Sequence, residues 1–403
     1  LERLGKQYER NVETAKAVAV YETLLKTRPE SEAAFRVLVK LVELDLKRER
    51  YSDALAHLKD FKKPQSNEVE TETSYKNLRA LIRRTATEHH EIYRKKNAKQ
   101  DLEIAERFYL GYLTIFLSKD DPRNETPEVK MYLADVKREM GKSKEASELY
   151  RQVIETRDKR YAKEAGVLWT ASLSEALKKA NISKNSDDPS SLEREFVDAA
   201  DQMQGSLSET NEGREAAMKA ALVLAGYKNT QKDAIDRSRK LIAQAPKTVQ
   251  GLTLAKLWLQ ITSDRVSPGK PESARDADQL FEVIRELRAN VALLAYDHEQ
   301  GGKLKAQLIE KDKILKIGLI AKNEKDKNFA GAGKGYESFA LDSSDKVIAE
   351  KAFASSMSSY LKAEDSDGML RVAAVWLKRY PKSSNAIDSI RSGATIALIQ
   401  GHF

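Results

Sequence analysis

Five histidines, two acidic clusters, one glycine–lysine run and one basic stripe are the features of this 403-residue chain that could do chemistry. The histidines are His57, His89, His90, His298 and His402. No His-x-x-x-His or His-Glu-x-x-His spacing sets two of them on one helix face, so the zinc-ligand pattern is missing. His89 and His90 are adjacent and point in different directions around a helix. The spacing puts His89 on an apolar stripe with Tyr75, Leu78, Ile82 and Ile92, as a core residue. It puts His90 on a stripe with Arg79, Arg83 and Arg94, as an exposed one. No serine stands in a Gly-x-Ser-x-Gly elbow, so a hydrolase triad has no nucleophile.

The acidic clusters are Glu68, Glu70 and Glu72, and Glu364, Asp365 and Asp367. Glycoside hydrolysis needs two carboxylates facing each other across a cleft. These sit beside expected helix starts, where negative charge complements the helix dipole. The run Gly331-Ala332-Gly333-Lys334-Gly335 resembles a phosphate loop only in composition. Such a loop needs an earlier Gly, a Ser or Thr after the Lys, and a preceding strand. Asn328 and Gly335 occupy the two key places, and a charged helix end precedes them. The run reads as a flexible turn leading into a helix. With no cysteine in the chain, disulfides and thiolate chemistry are excluded. No cofactor or metal is expected.

Net charge is +8, and residues 1–100 carry 22 Lys+Arg against 16 Asp+Glu. The strongest basic feature is the stripe Arg79, Arg83, His90 and Arg94, followed by Lys95, Lys96 and Lys99. Nucleic-acid readers interleave aromatics for base stacking, and here only Tyr93 is near. An acidic protein or peptide segment is the better partner for such a stripe, and nucleic acid is not expected.

The elements that must carry these residues are helical. The chain has 9 Pro and 18 Gly, long stretches lack both, and apolar residues recur at helical spacing. Helices are expected over 73–98, 101–117, 161–180, 191–205, 249–263, 272–297, 302–323, 345–363, 367–380 and from Ser384 to Ile399. Breakers fall at Asp120-Asp121-Pro122, at the polar loop Asn181–Ser190 and at Ser267-Pro268-Gly269-Lys270-Pro271. They divide the chain into 1–180, 191–267 and 272–403. No apolar run approaches the roughly 20 residues that span a bilayer. Leu1 falls inside the first expected helix, so the chain reads as a processed form or part of a longer protein.

Leu4, Gly5, Tyr8, Ala17, Tyr21, Leu24 and Pro29 are spaced as in the tetratricopeptide repeat, a helix–turn–helix unit of about 34 residues. The same spacing recurs at Phe35 to Pro64, at Leu133, Ala134, Gly141, Ala146 and Tyr150, and at Met218, Ala221, Ala234, Leu241 and Pro246. The chain therefore resembles tetratricopeptide-repeat proteins over most of its length. The resemblance implies an all-α solenoid of degenerate repeats, acting as a non-catalytic scaffold for a protein or peptide. In such superhelices the first helix of each pair lines the ligand groove. That maps ligand-facing positions to Lys6, Arg10, Arg36, Lys40, Arg138, Lys219 and Tyr227, with Arg79 and Arg83 on the basic stripe. The chaperone-tail clamp of one subgroup is not matched, because Glu2 and Lys6 stand where it has Lys and Asn. The segment Tyr380-Pro381-Lys382-Ser383-Ser384-Asn385-Ala386 resembles a junction common in periplasmic repeat proteins, which implies a bacterial periplasm or envelope, with the cytoplasm as alternative. Two other functions stay open: a helical accessory region of a larger cell-wall enzyme, and a basic nucleic-acid-binding solenoid.

Overall fold

The computed structural model describes residues 1–59, 69–116, 125–180, 182, 186–266, 273–399 and 401. Phe61, Pro64, Glu68, Asp120 to Pro122, most of Asn181 to Asn185, Ser267 to Pro271 and His402 lie outside the described residues. No strand occurs among the described residues. Each part of the described chain is an all-α stack of tetratricopeptide-like helix pairs.

The helices fall into two compact units, 1–185 with 189–216, and 186–188 with 217–403. The first holds α1 (Glu2–Arg10), α2 (Thr14–Thr27), α3 (Glu32–Lys47), α4 (Tyr51–Leu58) and α5 (Val69–Lys96). It continues with α6 (Lys99–Phe116), α7 (Thr126–Glu139), α8 (Ser143–Glu155), α9 (Ala162–Lys179) and α10 (Ser191–Leu207). Helix α11 (Asn211–Ala225) crosses the boundary. The second unit holds α12 (Gln231–Gln244), α13 (Val249–Asp264), α14 (Ser273–Ala289), α15 (Val291–Leu294) and α16 (His298–Lys325). It ends with α17 (Phe329–Asp342), α18 (Lys346–Lys362), α19 (Ser366–Arg379) and α20 (Ser384–Ile399).

Most helices pack chiefly on their chain neighbours, and α20 reaches past α19 to α18. In the first unit the order α1–α2–α3–α4 passes to α5–α6–α7–α8–α9–α10, with α3 also against α5 and α4 against α6. In the second, α12–α13–α14 passes through α16–α17–α18 to α19 and α20. Stacking of this kind is what a repeat array requires, because each pair buries its apolar face only against the next.

The turns inside the pairs share one device. Val12, Glu49, Gly141 and Lys327 adopt left-handed backbone, with φ of 63°, 57°, 77° and 58°. Each stands five residues before an alanine, Ala17, Ala54, Ala146 or Ala332, that is fully buried. The left-handed residue closes the first helix and aims the second back along it, and the alanine admits the close approach. Valine is ill-suited to that conformation, because its branched Cβ meets the following carbonyl. Val12 is also well exposed, so its side chain returns no packing. Val12→Gly is expected to stabilise the first pair by about 1 kcal/mol. A urea midpoint equal to or below that of the parent would contradict this.

The turns between pairs follow the proline and cap signals. Ser31, two residues after Pro29, accepts from Ala34 N at 3.1 Å. Thr248, two after Pro246, accepts from Gly251 N at 3.0 Å. Ser383, two after Pro381, accepts from Ala386 N at 3.2 Å. Asp365 caps α19 by accepting from Gly368 N at 2.8 Å, so that acidic cluster opens a helix. Each such oxygen satisfies one orphan N–H of a first turn.

Two expectations need correction. The helix expected over 272–297 is broken: α14 stops at Ala289 and Asn290 caps the short α15 by accepting from Leu293 N at 3.0 Å. The Gly331–Gly335 run is no flexible turn. It lies inside α17, and Gly333 and Gly335 admit side chains from other helices. A Cβ on Gly333 would stand 3.0 Å from the Tyr360 ring, and one on Gly335 would stand 2.5 Å from Ile320.

Candidate interaction surface

The mapped residues sit on the first helices of successive pairs, α1, α3, α5 and α7, in the first unit. Instead of pointing outward, Arg36, Arg79 and Arg83 tie these helices to one another. Arg36 of α3 donates to both Glu2 carboxylate oxygens of α1, at 3.3 and 3.1 Å. It also lies 3.8 Å from Glu70 of α5. Lys6 approaches the same Glu2 at 2.8 Å. Burial raises the Glu2 carboxyl, but the Arg36 and Lys6 contacts outweigh it and hold the group below its ordinary range.

The basic stripe of α5 faces an acidic stripe at the start and along the face of α7. Arg79 donates to Glu125 at 3.1 Å and to the Tyr112 hydroxyl at 2.6 Å. Tyr112 donates in turn to Glu125 at 2.8 Å. Arg83 pairs with Glu125 at 3.3 Å and Glu128 at 2.9 Å. One turn and more further on, His90 lies 2.8 Å from Glu139. Arg94 pairs with Glu139 at 3.1 Å and Asp135 at 3.3 Å. Residues at i, i+4, i+11 and i+15 of one helix thus meet a stripe of like period on the other. Arg36 and Arg79 keep only 18% and 16% of their side-chain surface. This corrects the expectation that Arg36, Arg79 and Arg83 stand exposed for an acidic ligand: acidic side chains of the same unit already occupy that role.

The remaining mapped residues are scattered. Arg10 is exposed at the end of α1. Lys40 pairs within its own helix with Glu43 at 2.6 Å. Arg138 is half-buried near the Tyr150 hydroxyl, which donates to Asp135 at 2.5 Å. Lys219, on α11, is half-buried and belongs to the second unit with Tyr227. Tyr227 is 1% exposed, which corrects its reading as a ligand-facing residue. It follows α11 in a turn, where the aromatic side chain fills space under the helix end and presents no surface.

Of the two adjacent histidines it is His90 that departs from expectation, while His89 keeps a mostly enclosed place. His90 is the buried one, with its ring edge-on to Tyr109 at 6.1 Å between centroids. His89 is the more accessible, with Nδ1 2.6 Å from Asp101 and its ring edge-on to Tyr51. Burial lowers the His90 pKa and Arg94 lowers it further, against the opposing pull of Glu139. The folded protein therefore favours the neutral form of His90 more than the unfolded chain does. Because the unfolded state binds the extra proton, stability falls as pH drops below the ordinary value of about 6.5. The fall continues until the lowered folded value is reached. The urea midpoint is expected to decline from pH 7 to pH 5, and His90→Gln should flatten that slope. An equal slope in the variant would place the titration elsewhere.

A second buried polar cluster went unnoticed in the sequence. Asp45, on the last turn of α3, is almost wholly buried, with His57 Nε2 at 3.3 Å and Arg50 Nε at 3.7 Å. Desolvation raises its pKa against the pull of His57 and Arg50. Nothing in the spacing of Asp45, Arg50 and His57 marks them as a group, since their meeting depends on how α4 folds back.

In the second unit the space between first helices is apolar. A cleft of about 290 Å³ lies between α16 and α18 with α17 as its floor. Ile317, Ile320 and Ala321 form one wall, Ile348 and Ala352 the other, and Phe339 lines the base. No ion pair links α16 to α18 among the described residues.

No protein-family model matches the chain, and no curated protein matches it significantly. Among solved structures, it is similar to the C-terminal part of a TPR repeat-containing protein from Cytophaga hutchinsonii. That likeness has 14% identity and a TM-score of 0.30, covering 87% of this chain and 99% of the other. It is similar to the P58(IPK) TPR domain at 12% identity and a TM-score of 0.23, covering 99% and 97%. It is also similar to Naa15/Naa10 bound to HypK at 13% identity and a TM-score of 0.28, covering 98% of this chain and 66% of that one. These scores are low, and the fold assignment rests on the helix order and packing within this chain.

Proposed function

We propose that this chain is a non-catalytic scaffold that holds a protein or peptide partner in a bacterial multiprotein assembly. The observation that supports this reading is the stacking order. Most helices pack on their chain neighbours, and α16 and α18 keep outer stripes available. Repeat stacks of this kind offer long surfaces suited to polypeptide ligands. Exposed aliphatic residues on such stripes, including Ile314 and Ile317 of α16 and Val347 and Ile348 of α18, are the surface feature that marks interaction sites.

Immobilised chain, offered extract of a bacterium that encodes it, is expected to retain one protein saturably, with free chain competing. No saturable retention would overturn the scaffold reading. Placement in the envelope is supported by the Tyr380-Pro381-Lys382-Ser383 junction and the cysteine-free composition. Recovery of the tagged protein in the cytosolic fraction would overturn that placement. No helix among the described residues is long and apolar enough to cross a membrane.

A further inference from the structure

We infer that the cleft between α16 and α18 is the docking site for a short, acidic, amphipathic helix of a partner protein. The inference rests on the scaffold reading and deepens it.

The gaps between first helices differ in kind between the units. Between α1, α3, α5 and α7, arginine–carboxylate pairs close them. Between α16 and α18 the walls are aliphatic and open. Ile317 and Ile348 remain 48% and 39% exposed at the mouth, an apolar surface that nothing in the unit covers. At about 290 Å³ the cleft lies just under the ~300–1,000 Å³ of cofactor and drug pockets, so side-chain anchors fit it better than a whole small molecule.

The spacing on the walls favours a helix. Ile314, Ile317 and Ala321 repeat at i, i+3 and i+7 along α16. Ile348, Ala352 and Ser355 repeat at i, i+4 and i+7 along α18. Two such rows accept the ridge of a third helix bearing anchors at i, i+3, i+4 and i+7.

The charges around the mouth select the sign. Lys351 lines the α18 wall, and Lys313 stands one turn before Ile317 on α16. Both are exposed, and neither is ion-paired among the described residues. The lining carboxylate, Glu324, sits at the far end of α16 and accepts from the Tyr336 hydroxyl at 3.2 Å. An incoming helix with carboxylates flanking its apolar ridge complements Lys313 and Lys351.

The test uses a fluorescein-labelled peptide of about twelve residues with Leu at i, i+3, i+4 and i+7 and Glu elsewhere, the anchor pattern of a helix in a groove. A Lys-for-Glu counterpart and anionic phospholipid vesicles are the other arms. Binding is followed by anisotropy, or by co-sedimentation for vesicles. The Glu peptide is expected to bind saturably and more tightly than the Lys peptide. Ile348→Ser should weaken it at least about tenfold, as for loss of a central anchor. Lys351→Glu should weaken it by about three- to fivefold, the scale of one exposed ion pair, while tightening the Lys peptide. Both substituted residues are exposed, so melting curves should match the parent. Equal affinity for the two charge forms, or unchanged binding to Ile348→Ser, overturns the inference. So does vesicle binding that alone depends on Ile348, which would make the patch a lipid contact. If Ile348→Ser retains the captured protein partner unchanged, the cleft inference falls and the scaffold reading stands. If neither form retains any partner, the scaffold reading falls and this inference with it.

Discussion

Gly301→Ala is expected to lower the melting temperature of the second unit by about 6–12 °C, for a loss of about 3 kcal/mol. Gly301 is buried in the first turn of α16, where the short α15 crosses it. A Cβ added there would lie 2.1 Å from the carbonyl oxygen of Leu294 and 2.9 Å from its carbon. These are backbone atoms, so no rotamer change relieves the clash, and α15 would have to move off α16. Leu293, Leu304 and Leu308 belong to the same buried cluster, so the displacement would open it. The neighbouring position supplies the control. Gly302 is exposed, and a Cβ there meets nothing within 4 Å. Gly302→Ala should be neutral or stabilise by up to about 1 kcal/mol, through the helix propensity of alanine. Equal melting of the two variants would show that α15 does not press on α16 in this way.

Glu125→Leu should cost the first unit about 2–3 kcal/mol. The carboxylate takes hydrogen bonds from Arg79 and Tyr112 and pairs with Arg83. Removing it leaves two guanidinium groups and a hydroxyl short of an acceptor in a mostly buried place. The pairs are partly solvated, which keeps the cost below that of a fully buried ion pair. Leucine at the N-cap of α7 is also inert as a cap, but Glu125 makes no side-chain cap bond to lose. Combining Glu125→Leu with Arg79→Met should recover part of the loss, because the orphaned charge is gone. A double variant that melts as low as the sum of the singles would mean that Arg79 and Glu125 are independent.

What the sequence carried well was local. The alanine positions Ala17, Ala54 and Ala146, the left-handed Gly141, and the proline-plus-cap junctions at Pro29, Pro246 and Pro381 can all be read within a few residues of one another. The misplaced features depend on partners far along the chain. The α5 stripe looked free because its carboxylates lie on or beside α7, 46 residues on for Arg79 and Glu125. His90 looked exposed because Tyr109 and Glu139, which enclose it, come from α6 and α7. Gly333 and Gly335 looked like a turn because Tyr360 and Ile320, which need their bare backbone, come from α18 and α16. Tyr227 followed the ligand-facing period of α11, yet it stands beyond the last helical residue, Ala225, where that period no longer holds.

On the reading proposed above, polypeptide binds on the open stripes of α16 and α18, and the stripe of α5 is taken up by carboxylates of α7. Hydrogen–deuterium exchange of the full chain, with and without the retained partner, tests it most directly. New protection is expected on α16 and α18 around Ile317 and Ile348, with α5 and α7 unchanged. Protection centred on Arg79, Arg83 and Arg94, with α16 and α18 unaffected, would contradict it.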